Sequence, residues 1–298
     1  MIELKTPKAK RRVILTCLTV IVGLDVLTGP AWKVSPVPPS PGKPAITASG
    51  AVDSELEALL NDGGPSSATA ARHKSNSSAL VAAAAGADNQ QFYRLGELLV
   101  QDGLSDTIIN LSREMNGWWY AWSVWHAPSS ELDAFILAWR QVVTTMRSVP
   151  GEHFKFLWTI YPGAATAAEC WPGSAYVDYV GTDIFDWHGG PDGTYPHTAS
   201  GALDWARHWQ QALTASPGGL NWIARFSELT GKPVIIPEWG LDFHTFGGQD
   251  DTYFLTRMTA WLKAHHAIGL YWVQGHVTRS DWPGGPLIHG PGEFDVCA

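Results

Sequence analysis

Thr107-Ile108-Ile109-Asn110-Leu111-Ser112-Arg113-Glu114-Met115-Asn116-Gly117-Trp118-Trp119 runs from a short β-branched, apolar segment straight into a charged and aromatic turn. The first five residues read as a strand, and the carboxylate Glu114 falls just past its C-terminal end. A second stretch has the same plan: Lys232-Pro233 introduces the strand Val234 to Ile236, which leads through Pro237 to Glu238, Trp239 and Gly240. Helices alternate with further strands around these two. Phe92, Leu95, Leu98 and Leu99 recur at helical spacing, with Gly103 as a stop, and an amphipathic helix from about Glu131 to Met146 precedes a strand from Phe154 to Ile160. Tyr179 to Ile184 reads as a strand, Leu203 to Leu229 as one long tryptophan-rich helix, Thr252 to His265 as a helix and Leu270 to Val273 as a last strand.

Five strands alternating with helices imply a parallel sheet. Both carboxylates then lie at the C-terminal edge of that sheet, where a (β/α)8 barrel places its active-site loops and an open doubly wound sheet places its ligands. No glycine-rich phosphate loop follows any strand, which favours the barrel. Space is short, however. Strands 4 to 8 fill residues 107 to 273, leaving residues 46 to 106 for three units that ordinarily need about 30 residues each. Residues 46 to 90 carry no period-2 run, so the expected fold is an α/β, (β/α)8 TIM barrel, either closed or incomplete in its first three strand-helix units.

Composition describes a globular chain: 298 residues, 45% hydrophobic and 16% charged, with a formal charge of -8 that leaves no basic stripe for phosphates. Nucleic acid is therefore not an expected partner. Lys5, Lys8, Lys10, Arg11 and Arg12 precede an apolar run from Val13 to Leu27, so residues 1 to 31 read as a signal peptide or an N-terminal anchor. The expected location is secreted or periplasmic, with membrane attachment through residues 13 to 31 if that segment is kept. Residues 32 to 45 are a proline-rich linker, Gly63 to Ser78 a loop of small polar residues, and 46 to 298 the barrel domain. Removal of Cys17 with the leader would leave Cys170 and Cys297 as a candidate disulfide, with two separate thiols as the alternative.

Eleven histidines invite a metal reading, but no H-E-x-x-H set occurs, and His265-His266 is better explained by the end of a helix. A serine nucleophile has no G-x-S-x-G elbow to sit on. Chemistry therefore rests on the two glutamates, with no metal and no cofactor. Glycosidic bond hydrolysis needs such a pair: one protonated acid helps the leaving oxygen depart while a carboxylate attacks the anomeric carbon or activates water. Sixteen tryptophans supply flat faces for core packing or for sugar rings.

Several of these segments resemble glycoside hydrolase family 26. Arg113-Glu114-Met115-Asn116-Gly117-x-Trp119-Tyr120-x-Trp122 is similar to that family's acid/base segment, and Lys232 to Gly240 to its nucleophile segment. Tyr176 to Asp186 resembles the strand 6 region, and Gly247-Gly248-Gln249-Asp250-Asp251 through Met258 the helix after strand 7. The resemblance implies a retaining (β/α)8 enzyme, β-mannanase-like, with Glu114 as acid/base and Glu238 as nucleophile about 5 to 5.5 Å apart. Substrate contacts are expected from Arg113, Asn116, Trp119, Trp122, Asp183, Asp186, Trp187, His188, Trp239 and Trp272, with Trp239 and Trp272 the preferred stacking platforms. Arg113 departs from the family, which usually carries histidine there, and beside Glu114 it would favour the ionised form of the acid. The implied activity is endo-hydrolysis of a β-linked polysaccharide, most readily β-mannan, by a monomer. A non-catalytic carbohydrate-binding protein at the cell surface, with a degenerate barrel, is the alternative.

Overall fold

A computed structural model describes residues 24–27, 77–120, 122–164, 167–186, 195–241 and 247–271. Strands β1 (Leu24–Leu27), β2 (Ile108–Leu111), β3 (Lys155–Ile160) and β4 (Tyr179–Thr182) form one sheet in that order; β5 (Ile184–Asp186), β6 (Ile235–Leu241) and β7 (Ile268–Tyr271) form another. The two are continuous in space. Asp183 alone separates β4 from β5, and the parallel bridge Val180↔Val234 ties β4 to the start of β6. Five parallel strand positions therefore follow one another as β2, β3, β4/β5, β6 and β7. This is part of a barrel wall. At Gly181 the wall is so close that a Cβ would lie 2.2 Å from the carbonyl oxygen of Ile235, so only glycine fits.

Helices α1 (Ser77–Ala84), α2 (Asn89–Gln101), α3 (Ser129–Met146), α4 (Trp205–Thr214), α5 (Leu220–Thr230) and α6 (Thr252–Ala264) complete the described elements. Helix α2 buries Phe92, Leu95 and Leu99, and α3 buries Leu132, Phe135, Trp139, Val142, Val143 and Met146, the i, i+3, i+4, i+7 stripe of an amphipathic helix. These side chains meet Phe156, Trp158 and Ile160 of β3 in the main core. Trp158 stacks on Phe226 of α5 at 5.3 Å, and Phe226 on Trp222 at 4.8 Å. Much of the tryptophan content is thus structural: Trp139, Trp158, Trp209, Trp222 and Trp261 are all core residues. Each such ring removes enough apolar surface from water to contribute about 1.5–3 kcal/mol or more.

The element pattern follows the sequence with several differences: helix α1 starts inside the segment read as a loop, and the strand expected over Tyr179 to Ile184 is broken at Asp183 into β4 and β5. The long helix expected over Leu203 to Leu229 is two helices, because Pro217 offers no amide hydrogen and Gly218 takes φ 91° between them. Strand β6 continues through Pro237 and Glu238 to Leu241, so Glu238 lies within the strand and not beyond it. The last strand begins at Ile268, two residues ahead of the expected Leu270. Finally, Leu24–Leu27, inside the segment read as a signal or anchor, pairs antiparallel with β2 from Leu24↔Leu111 to Leu27↔Ile108. An antiparallel strand is not the third unit of a (β/α)8 barrel. It satisfies the edge N–H and C=O groups that β2 would otherwise expose.

Among the described residues no helix is long and apolar enough to cross a membrane. Cys170 is buried; Cys17 and Cys297 lie outside the described residues, and the candidate Cys170–Cys297 pairing with them. The proline-rich linker 32–45 lies outside them too.

Candidate active site

Past β2 the backbone turns sharply: Ser112 has φ 53° and Glu114 φ 50°, left-handed values that cost a residue with a Cβ about 1 kcal/mol or more. The turn is held by Glu114 N–H, which donates to Thr159 O at 3.1 Å on β3, and by Trp122 Nε1, which donates to Arg113 O at 2.8 Å. Asn116 is fully buried. Its Oδ1 accepts from Tyr161 N–H at 2.8 Å and its Nδ2 donates to Tyr161 O at 2.9 Å and Ala164 O at 3.1 Å, stitching the loop after β2 to the loop after β3. Asn116 is therefore occupied by the backbone, and its role is to aim the turn that carries Glu114. This differs from the expected sugar contact.

Gly117 has a separate reason to be there. A Cβ on it would lie 2.5 Å from the ring of Trp119, so its bare backbone lets the indole fold back over the loop. Folded in this way, Trp119 Nε1 donates to Glu114 Oε2 at 3.1 Å. Trp119 also meets Tyr161 edge-to-face at 4.7 Å and Trp118 at 5.9 Å. Glu114 itself is only 8% exposed, while Trp118 and Trp119 are 68% and 38% exposed. A nearly buried carboxylate thus sits at the foot of an open aromatic ledge.

Glu238 approaches from β6. Its N–H donates to Asp183 Oδ1 at 3.1 Å, from the break between β4 and β5. Its Oε1 accepts from Arg113 Nη1, and Arg113 Nη2 reaches the Tyr120 hydroxyl; the guanidinium carbon lies 5.2 Å from the Tyr120 ring centre. The sequence reading set Arg113 against Glu114, its neighbour in the chain. In the structure the guanidinium forms its ion pair with Glu238. Tyr120 and Tyr161 frame the same space, each pushed up to about 12; burial is the main cause for both, Arg113 opposes it at Tyr120, and the charge of Glu114 adds to it at each. Both phenols are therefore neutral hydrogen-bonding groups near pH 7.

Arg113, Glu114, Trp119, Asp183 and Glu238 of the expected set come together at this edge. Trp122 and Trp239 do not open onto it: they are 6% and 4% exposed, and Trp122 stacks on Tyr120 at 4.3 Å. Buried rings give no face to a sugar, so these two act as packing under the site. Asp186, the last residue of β5, is fully buried; it accepts from the Tyr195 hydroxyl and lies 3.1 Å from His208 Nδ1, so it is held within the protein and does not face the exposed indoles. Trp187, His188 and Trp272 lie outside the described residues. The sequence reading passed over Tyr161 as a site residue although it directly follows β3, the same strand-end position that singled out the glutamates. No group of three or more metal-ligating side chains occurs among the described residues.

Residues 100–195 match the model of the glycosyl hydrolase family 26. Among curated proteins no sequence matches. Solved structures with partial likeness include the YdhT protein from Bacillus subtilis (16% identity, 54% of this chain and 40% of that one, TM-score 0.37). A GH26 β-mannanase from Bacteroides ovatus, BoMan26A, shows 16% identity over 53% of this chain and 39% of that one, TM-score 0.38. The Bacillus subtilis mannanase BCman shows 14% identity over 76% of this chain and 65% of that one, TM-score 0.44. The chain spans 40% and 39% of the first two of these structures. Through the match over residues 100–195, the segment that carries Glu114 and its tryptophan motif, the chain resembles glycosyl hydrolase family 26.

Proposed function

We propose that this protein is an exported, retaining endo-β-glycosidase that hydrolyses a β-linked polysaccharide, β-mannan first among candidates, on a (β/α)8-type framework. One observation carries the reading: carboxylates from two different parallel strands, Glu114 after β2 and Glu238 on β6, are brought to one sheet edge by the Arg113–Glu238 ion pair, with exposed indoles beside them. In the first step Glu238 attacks the anomeric carbon, the glycosidic C–O bond breaks, and Glu114 gives its proton to the leaving oxygen. In the second, water attacks the glycosyl ester, Glu114 takes its proton, and Glu238 leaves as carboxylate.

The environments suit this division. Arg113 in contact with Glu238 favours the charged form that a nucleophile needs and holds one of its oxygens in place, leaving the attack to the other. Glu114, nearly buried and held by the Trp119 N–H, is the carboxyl aimed at the leaving-group side. Trp119, fixed to the acid by its own hydrogen bond, lies on the leaving-group side, and Trp118 extends the ledge outward. Pyranose rings stack on such faces through their apolar C–H surfaces. The protein works as a monomer with polysaccharide as its partner and without cofactor, reaching the cell exterior through residues 1 to 31 or remaining attached by residues 13 to 31. Fractionation of producing cells checks the last point.

The test is reducing-end release from mannans, glucans and xylans by the full chain and by Glu238→Ala. Activity on one of them that vanishes in the variant supports the reading; equal rates for both would contradict it. A second reading, a carbohydrate-binding protein without turnover, is favoured by the ion pair itself, because a nucleophile fastened to arginine must be released or reoriented to react. Polysaccharide binding with no reducing ends released would select it.

A further inference from the structure

At the C-terminal end of β5, level with Leu241 of β6, four polar side chains are buried together: Asp186 and Asp251 at 0% exposure, Tyr195 at 3% and His208 at 4%. They come from four segments: the end of β5, the residues ahead of α4, α4 itself, and the N-cap of α6. The Tyr195 hydroxyl oxygen lies 2.6 Å from Asp186 Oδ1 and 3.3 Å from Asp251 Oδ2. His208 Nδ1 lies 3.1 Å from the same Asp186 oxygen, and the His208 ring stacks on Tyr195 at 4.8 Å. Asp251 Oδ1 accepts from Phe254 N–H at 2.8 Å, capping α6. Gly248 N–H donates to Asp186 O at 3.0 Å, and a Cβ on Gly248 would lie 2.0 Å from Asp186 Oδ2. The packing around Asp186 leaves no room for adjustment.

Protons can be counted in this space. A phenol has one hydrogen to give, and two carboxylate oxygens converge on the Tyr195 hydroxyl. The shorter contact, to Asp186, takes that hydrogen. Asp251 Oδ2 then faces a lone pair of the phenolic oxygen: if Asp251 is ionised the contact is repulsive, and if it carries a proton the contact is a hydrogen bond. Two desolvated carboxylates joined through one hydroxyl do not both ionise readily.

We propose that Asp251 is the protonated member of this quartet, and that the directional chain from Asp251 to Tyr195 to Asp186, with His208 also on Asp186, is a positioning device. It fixes the end of β5 and, through Asp183 three residues back, the backbone of Glu238. Only this last step rests on the role proposed for Glu238. The groups facing Asp251 are Asp186 from β5, Tyr195 and His208. Burial, with the charge of Asp186 adding to it, pushes Asp251 up to about 6, against the Phe254 N–H, Tyr195 and His208, which pull it down. Tyr195 is raised as well, by burial first and then by its bond to Asp186.

A carboxyl that holds its proton in the folded state above the ordinary aspartate value contributes stability that is complete below that value and is lost as pH rises through about 6. Asp251→Asn keeps an oxygen for Phe254 N–H, offers an amide hydrogen to Tyr195, and cannot ionise. Thermal unfolding of the full-length wild type and Asp251→Asn is compared from about pH 4.5 to about pH 8. The two midpoints should nearly coincide at the acid end, with the variant higher by about 2–6 °C at the alkaline end. A difference that does not change with pH, or a wild type that gains on the variant as pH rises, would overturn the protonation. Should the variant fold poorly, the wild type alone serves: an infrared band of a protonated carboxyl present at about pH 5.5 and lost by about pH 8 supports the protonation, and no such band at about pH 5.5 overturns it. On the polysaccharide the wild type hydrolyses, the variant should hold its kcat to higher pH with KM unchanged. Coincident kcat profiles would remove the positioning step while leaving the proton in place. A wild type with no hydrolysis would sink the glycosidase reading, and the positioning step with it, without touching the unfolding result.

Discussion

Arg113 links the two carboxylates in a way that no linear reading of the chain displays. It stands next to Glu114 in sequence, yet its guanidinium bonds to Glu238, 125 residues away, and to Tyr120. Adjacent side chains past a strand end point in different directions, and the left-handed turn at Ser112 and Glu114 sets which way each goes. The consequence can be measured. Arg113→Met removes the cation from a part-buried ion pair and leaves Glu238 to gain a proton more readily, so kcat/KM should fall and its acid limb should move to higher pH. An unchanged pH profile would show that Glu238 does not depend on Arg113. Glu114→Gln should lower turnover of polysaccharide about 10²–10⁴-fold while sparing aryl glycosides, whose leaving groups depart without a proton. Equal losses on both substrates would argue against the acid role.

At the scale of elements, the loop after β2 depends on Gly117 and the sheet on Gly181. Gly117→Ala drives a methyl into the Trp119 ring at 2.5 Å, which should displace the indole from Glu114 and cost about 1–3 kcal/mol. Tryptophan fluorescence and denaturant unfolding would register both effects. Most elements were legible from periodicity because helices such as α3 show one continuous apolar stripe and the strands are short runs between clear breaks. The break at Pro217 was hidden by tryptophans that keep helical spacing on both sides of it, although proline alone was enough to predict two helices. Trp122 and Trp239 illustrate a different limit. Their position beside candidate acids suggested stacking on sugar, but proximity in sequence carries no information about which face of a ring is covered, and both are buried. The quartet around Tyr195 was even less accessible, since its four members are drawn from segments spread over residues 186 to 251.

For the whole molecule, five parallel strand positions with one antiparallel strand on their edge are what the described residues hold, in place of eight closed strands. Residues 28–76, where units ahead of β2 would fall, lie outside the described residues. The occupant of the edge, Leu24–Leu27, was not foreseen, because an apolar run after basic residues reads as a membrane-directed segment whether or not it can also form a strand. Cleavage near Ala31 would take β1 away. A chain lacking residues 1 to 31 should therefore expose the edge of β2 and self-associate, giving a larger species by light scattering than the full chain does. Equal sizes for the two would mean that β1 does not guard that edge.

The central claim is that Glu114 and Glu238 form a working catalytic pair on this partial wall. Reducing-end release from β-mannan by the full-length protein, set beside Glu238→Ala under the same conditions, tests it most directly. Hydrolysis by the parent and none by the variant is the predicted result; hydrolysis that persists at the parent rate when Glu238 is replaced would contradict it.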